Sequence, residues 1–262
     1  MIKKLTIISA LLSAICLTIL VYFTIVSLKP IPDSLEQLLS SDIYMQVLDK
    51  NGDPLNITYK NNWNIHNTKS LHQIPEFLKQ SFIISEDKSF YQHSGVDWPA
   101  RLSALLTNIK HMRAVRGAST ITEQTLRMIR PRKRTVWSRW LEGFEAMEIE
   151  RHFNKDAIFE FYLNQIPYAA NRRGVAQAAR YYFNRDLDTL SKKEMLALVV
   201  LVRAPSRFDL WKNSNKIDRS INRLAKQLIT HNLITKQDQE FIQKEEFELE
   251  ADNILDFTET NP

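Results

Sequence analysis

Cysteine is nearly absent: Cys16 is the only one in 262 residues. A disulfide within the chain and a cysteine-based metal site are therefore both excluded. The histidines, His66, His72, His93, His111, His152 and His231, show no metal-ligand spacing, which argues against a zinc enzyme. Glycine is scarce too, at Gly52, Gly95, Gly117, Gly143 and Gly174 only. No phosphate loop or dinucleotide fingerprint can be assembled from these five. Gly95, Gly117 and Gly174 fall at breaks between helical stretches, where a missing Cβ gives the backbone room to turn. Internal repeats and low-complexity tracts are also lacking.

Charge is missing from one long stretch, Leu5 to Leu28, which is rich in Leu, Ile and Val. As a helix it is about 36 Å long, enough to cross a hydrocarbon core of ~30 Å. No small-residue cleavage site precedes Lys29, and Ile15 rather than a small residue precedes Cys16. The stretch therefore reads as an uncleaved anchor, not as a signal peptide or lipoprotein signal. Lys3 and Lys4 lie before it, whereas Lys29 after it is soon offset by Asp33 and Glu36. That bias predicts a cytoplasmic N-terminus, with the remaining chain on the outer or periplasmic side of the cytoplasmic membrane. Nucleic acid is set aside as a partner on that ground. The formal charge of +5 and pI near 9.2 fit a membrane surface or a phosphorylated ligand instead.

Residues 1–4 form a cytoplasmic tip, 5–28 the anchor, and 29–41 a linker interrupted by Pro30 and Pro32. One domain is expected over 42–249, with a loosely ordered tail at 250–262. The domain opens on a short β segment. Ile43, Met45 and Val47 alternate with polar residues, and Lys50-Asn51-Gly52-Asp53-Pro54 supplies a turn before a return strand at 55–59. From Ile74 the pattern is helical. Segment 97–112 carries Trp98, Leu102, Leu105, Leu106, Ile109 and Met112, and is either a core-facing helix or one that dips into a membrane surface. Over 137–153, Trp137, Trp140, Leu141, Phe144, Met147 and Ile149 recur at helical spacing and read as core. Ser191 to Glu194 is a capping-box pattern ahead of the apolar run Met195 to Val202. That run is too short for a membrane span and reads as a buried central helix. Leu224, Leu228 and Ile229 mark one face of a later, polar helix.

Chemistry concentrates first at Ser85-Glu86-Asp87-Lys88-Ser89-Phe90-Tyr91-Gln92-His93. A helix through this stretch would gather Glu86, Phe90 and His93 on one face. Gly117-Ala118-Ser119-Thr120-Ile121-Thr122-Glu123-Gln124 follows, then Arg139-x-x-Glu142 and Tyr162-Leu163-Asn164. Gly174-x-x-x-Ala178-Ala179-x-x-Tyr182-Phe183 comes next, and then a helix ending in Ala204-Pro205-Ser206. Together, in this order, these elements resemble the peptidoglycan glycosyltransferases, glycosyltransferase family 51, from about residue 43 to about residue 245. The Gly-Ala-Ser-Thr start and Asn164-x-x-Pro167 look most like the penicillin-binding-protein C branch.

The resemblance implies a mainly α-helical, lysozyme-like fold with a large lobe and a smaller membrane-contacting lobe. It implies inverting polymerisation of lipid II, with undecaprenyl diphosphate leaving, in cell-wall peptidoglycan synthesis. The implied partners are lipid II, the lipid-linked growing glycan, the membrane and cell-wall synthesis proteins. No cofactor is required, although some relatives work with a divalent cation, Mg or Mn. The bifunctional relatives also carry a transpeptidase domain, for which this chain is expected to be too short. Ser85-x-x-Lys88 matches part of a transpeptidase signature, but no Lys-Thr-Gly follows.

Glu86 matches the family's general base, which takes the acceptor hydroxyl proton. Glu142 matches its second glutamate, near the phosphates. Arg127, Arg134 and Arg139 match cationic positions of the family and are assigned to the diphosphate, where cations stabilise departing charge; Ser119, Thr120 and Gln124 join the substrate-binding set. Asp87, Phe90 and His93 support Glu86, and Asn164 bonds either substrate or the motif helices. Thr120-x-x-Glu123 is also a capping box, opening a helix whose N-terminus suits a phosphate.

Several positions depart from the family pattern. Ala118, Glu123, Arg127 and Met128 replace a glycine, a glutamine, a lysine and an asparagine. Ser138 and Arg139 stand for an arginine and a lysine, and Ala169 for a glycine. A lost cation of this kind would cost about 1–3 kcal/mol if it made a charge-assisted hydrogen bond. Two rival readings stay open on sequence alone. One is a catalytically weak relative that binds lipid II as a scaffold. The other is a lytic enzyme that cleaves glycan strands, which a lysozyme-like fold would also allow.

Overall fold

The computed structural model describes residues 2–32, 63–65, 67–112, 117–203 and 214–247, with Leu35 and Leu210. The expected β segment, the Ala204-Pro205-Ser206 end of its helix and the tail at 250–262 lie outside those residues. What is described is helical throughout, and the only pairing of extended backbone in it is one bridge between Pro167 and Arg173.

Helix α1, Ile2–Ser27, leads. Its Thr6–Ser27 portion is long and apolar enough to cross a membrane by length and composition. Helix α2, Glu76–Glu86, and α3, Trp98–Lys110, follow. The start of α3 is set by Asp97, whose carboxylate accepts from the Ala100 N–H at 2.8 Å. Helix α4, Ile121–Ile129, begins in the Thr120/Glu123 capping box, and α5, Val136–His152, is capped by Thr135. Helix α6, Lys155–Gln165, is capped by Asn154, and α7, Gly174–Phe183, ends in a left-handed Asn184. The Ser191/Glu194 box opens α8, Lys192–Leu201. Helices α9, Ser214–Thr230, and α10, Lys236–Lys244, are the last among the described residues.

The apolar run of α8 has no polar face, so it must be covered on all sides. Leu196, Ala197, Leu198, Val199 and Leu201 are fully buried. Helices α2, α7, α9 and α10 pack around it. Leu224 and Leu228 of α9 point inward as their spacing predicts. Each large apolar side chain closed off in this way contributes about 1.5–3 kcal/mol. Helix α4 packs on both α5 and α6, and α6 packs on α7, which joins α4 and α5 to this core.

Two apolar patterns are placed differently from the plainest reading of their spacing. Of α3, only Ala104 is buried, while Trp98, Leu102, Leu105, Leu106 and Ile109 are exposed. The core-facing reading of that helix is therefore not what the fold adopts. On α5, Trp137 and Trp140 are more than a third exposed. These two do not sit in the core as expected. Trp137 lines a groove with Cys16, Ile19, Leu20 and Phe23 of α1, and Trp140 bonds to Thr24. An amphipathic period reports that a face needs covering, not what covers it.

Candidate active site

The site is organised by α4. Gln124 and Arg127 lie three residues apart and so project from the same side of that helix. Gln124 Nε2 donates to Glu86 Oε2 at 3.3 Å, and Arg127 Nη1 donates to Glu142 Oε2 at 3.2 Å. One helical turn thus touches a carboxylate from α2 and a carboxylate from α5. Arg127 Nη1 also reaches Ser119 Oγ at 3.2 Å. Gln124 is oriented in turn by Tyr162, whose hydroxyl donates to its Oε1 at 3.2 Å. Burial, reinforced by the nearby Glu86 charge, pushes the Tyr162 phenol well above its ordinary value, so it stays a donor.

Glu86 is the last residue of α2. The face expected for Glu86, Phe90 and His93 is not built, because the chain leaves the helix at Asp87 and continues as turns. Asp87 causes the redirection. Its carboxylate accepts from the Ile121 N–H at 2.9 Å and lies 3.0 and 3.1 Å from His93 Nε2. It therefore caps the positive end of α4. Lys155 Nζ lies 3.5 Å from His93 Nδ1 and 2.7 Å from Glu150. Phe90 is fully buried against Phe159 and takes no part in the open cleft.

The N-terminus of α4 is largely occupied by its own chain. The Ile121 N–H goes to Asp87, the Glu123 N–H to Thr120 Oγ1, and the Thr120 N–H to Glu123 Oε2. Thr120 Oγ1 donates to the Gly95 carbonyl at 2.7 Å. Thr120 is thus buried and structural in its contacts, and Glu123 is a buried cap paired with Arg101. Burial raises the Glu123 carboxyl above its ordinary value, against the opposing pull of Arg101.

The cations divide. Arg127 is at the centre, whereas Arg134 and Arg139 are exposed and form no ion pair among the described residues. Arg139 is three residues ahead of Glu142 on α5, hence on the same face of that helix. Sequence reasoning passed over Arg203. It lies just past the C-terminal end of α8, donates from Nε to Glu86 Oε1 at 2.8 Å, and bonds the Ser85 carbonyl. A basic residue at a helix C-terminus was the available signal. A cavity of about 240 Å³ opens beside this pair, lined by Ser85, Arg203, Ser220, Arg223 and Gln227 over a floor of Val200 and Leu224. The site thus presents one carboxylate held between Gln124 and Arg203 and a second held by Arg127.

A sequence model described as transglycosylase matches residues 51–229. The chain belongs to the transglycosylase family. Penicillin-binding protein 1A of Aquifex aeolicus is 31% identical over 72% of this chain and 26% of its own length. Penicillin-binding protein 4 of Bacillus subtilis is 30% identical over 92% of this chain and 41% of its own. The solved structure of penicillin-binding protein 1A from Haemophilus influenzae aligns at TM-score 0.43 and 20% identity, covering 79% of this chain and 22% of that one. The chain therefore spans less than half the length of these relatives.

Within this fold, Asn164 stands apart from the carboxylates. It is buried, its Oδ1 accepts from the Lys69 N–H at 2.8 Å, and its Nδ2 donates to the carbonyls of Lys69 and Glu160. Those contacts tie the segment before α2 to α6. Gly174 takes φ +77° directly against the Asn164 carbonyl, an approach that a Cβ would block. Of the sequence-derived set, the structure gathers Glu86, Gln124, Arg127, Ser119 and Glu142 into one cluster. Asp87, His93, Thr120, Phe90 and Asn164 form the frame behind it.

Proposed function

We propose that this protein polymerises lipid II into glycan strands by inverting glycosyl transfer, with undecaprenyl diphosphate as leaving group. The observation that carries this reading is the placement of Glu86, from α2, and Glu142, from α5, against the same turn of α4, each with its own α4 partner. In the proposed reaction the acceptor sugar approaches Glu86. Its hydroxyl proton passes to Glu86 as the oxygen bonds to the anomeric carbon of the lipid-linked donor. The carbon–oxygen bond to the diphosphate breaks on the opposite face, which inverts the anomeric centre. Arg127, Arg134 and Arg139 balance the charge that develops on the diphosphate, and Ser119 offers a hydroxyl. Glu142 holds Arg127 in place beside that group.

The described side chains gather no set of three His, Cys, Asp or Glu groups that would hold a divalent cation. The steps above route nothing through one. In this reading α1 anchors the protein in the cytoplasmic membrane, with the N-terminus in the cytoplasm and the catalytic part outside. The exposed apolar face of α3 would rest on the lipid, where a lipid-linked substrate presents its diphosphate. Glycosyl transfer alone is proposed; no transpeptidase step is assigned to the described residues.

The test is lipid II polymerisation by the full chain in detergent, with and without moenomycin, which inhibits this family. Glu86→Gln is expected to lower the rate by about 10²–10⁴-fold, the usual worth of a positioned base. Glycan strands formed equally well by wild type and Glu86→Gln would remove Glu86 as base. Binding of lipid II without strands would move the reading to a scaffold, and soluble muropeptides released from cell walls would move it to a lytic enzyme.

A further inference from the structure

Glu145 lies one turn beyond Glu142 on α5, and its side chain is 1% exposed. Its Oε1 accepts from Arg132 at 2.6 Å and from the Lys29 backbone N–H at 3.0 Å. Lys29 is the second residue past the end of α1. The stretch leaving α1 is gripped on its other side by Arg130, which bonds the carbonyls of Lys29 and Pro30. Higher on α1, Thr24 is buried and accepts from Trp140 Nε1 at 3.0 Å, and Trp140 again belongs to α5. Residues Trp140, Glu142 and Glu145 thus place the anchor and the candidate site on one helix.

A buried carboxylate is a poor device for stability alone. Its desolvation offsets most of what an ion pair contributes, and apolar residues of similar size do as well or better. Here the pair is also incompletely satisfied, because Glu145 Oε2 and Arg132 Nη1 have no hydrogen-bond partner among the described residues. What the arrangement supplies is direction. A backbone N–H at the exit of α1 reaches Glu145 only if the chain leaves the anchor along one path and α5 keeps one rotation about its axis.

We infer that Glu145, with Arg132, is a positioning residue that couples the anchor to α5 and sets where Glu142 and Arg127 stand relative to the membrane surface. The inference rests on the proposed lipid-linked substrate, whose diphosphate is held at that surface by its own lipid. A cluster displaced by an ångström along the membrane normal would meet the diphosphate out of register, and such a displacement lowers rates by up to about 10²-fold.

The experiment uses the full chain in vesicles of phosphatidylethanolamine and phosphatidylglycerol. Cys16, the sole cysteine, carries a nitroxide; it lines the same groove as Trp137, so quenching of tryptophan fluorescence reports docking of α1 on α5. Glu145→Ala is expected to weaken the quenching and lower kcat roughly ten- to hundredfold, with KM near wild type. Glu145→Gln keeps an acceptor for Lys29 and Arg132 and should restore both readings. Lys29→Pro, which removes the donor N–H and leaves the ion pair intact, should weaken quenching as Glu145→Ala does. Unchanged quenching in both Glu145→Ala and Lys29→Pro overturns the coupling, as does a Glu145→Ala protein whose activity falls only in step with its folded fraction. A wild type that shows the quenching pattern without polymerising lipid II overturns the proposed function and leaves the coupling standing.

Discussion

Arg203 Nε donates to Glu86 Oε1 at 2.8 Å, so the proposed base is held by a cation from the far end of α8, 117 residues away in sequence. The same guanidinium bonds the Ser85 carbonyl. With Gln124 on the other oxygen, the Glu86 carboxylate has a fixed orientation before an acceptor arrives. Arg203→Ala is expected to lower kcat by about tenfold through loss of that orientation, with a smaller change in KM. Arg203→Lys should fall with Ala and not with wild type, because one ammonium cannot reproduce a planar fork that serves two acceptors. Steady-state kinetics on lipid II check this, and full activity in Arg203→Ala would show that the clamp is dispensable.

Arg127 is expected to matter twice, for Glu142 and for the diphosphate. The Glu142 side chain is 6% exposed and that of Arg127 is 26% exposed, so the pair is only partly screened by solvent. Arg127→Ala leaves a largely buried carboxylate without its cation and should destabilise the fold by about 1–3 kcal/mol. Adding Glu142→Gln should recover part of that loss in a double-mutant cycle read by urea unfolding. Activity should not return in the double variant, because the diphosphate still lacks Arg127. Recovery of both together would reduce Arg127 to a structural partner of Glu142.

The helices were legible in the sequence where local chemistry decides. The capping boxes at Thr120 and Ser191 and the apolar run from Met195 have local causes, and all three stand in the structure. The order of motifs also singled out Glu86 and Glu142, each of which meets a residue of α4. What stayed hidden depends on contacts between distant segments. Asp87 ends α2 by reaching the start of α4, which no helical period can register. Trp140 and Trp137 looked like core because periodicity cannot tell a protein interior from the flank of an anchor helix. Arg203 looked like one more basic residue until α8 delivered it to Glu86.

Gly95 is the backbone contact on which the site's frame depends. Its φ is +84°, and a Cβ there would stand 2.5 Å from the Met147 nitrogen of α5. Its carbonyl is also the acceptor for Thr120. Gly95→Ala should therefore push the 87–97 turns away from α5 and destabilise the fold by about 1–3 kcal/mol or more. Circular dichroism should record a fall in Tm of about 2–4 °C for each kcal/mol. Gly117→Ala is the control, since a Cβ at Gly117 meets nothing within 4 Å. Equal Tm values for the two variants would mean that the close approach carries no strain.

Glu123 links the frame to pH. Burial raises its carboxyl in the folded protein above the ordinary 4.5. Between that value and the raised one, the folded state holds a proton that the unfolded state has released. The contribution of Glu123 to stability is therefore full below about pH 4.5 and declines as pH rises through the folded-state value. Glu123→Gln keeps an acceptor for the Thr120 N–H and has no proton to lose. Urea midpoints measured from pH 4 to pH 8 should then show wild type losing stability relative to Glu123→Gln as pH rises. The opposite slope would mean that the pairing with Arg101 outweighs burial and that the carboxyl is held below its ordinary value.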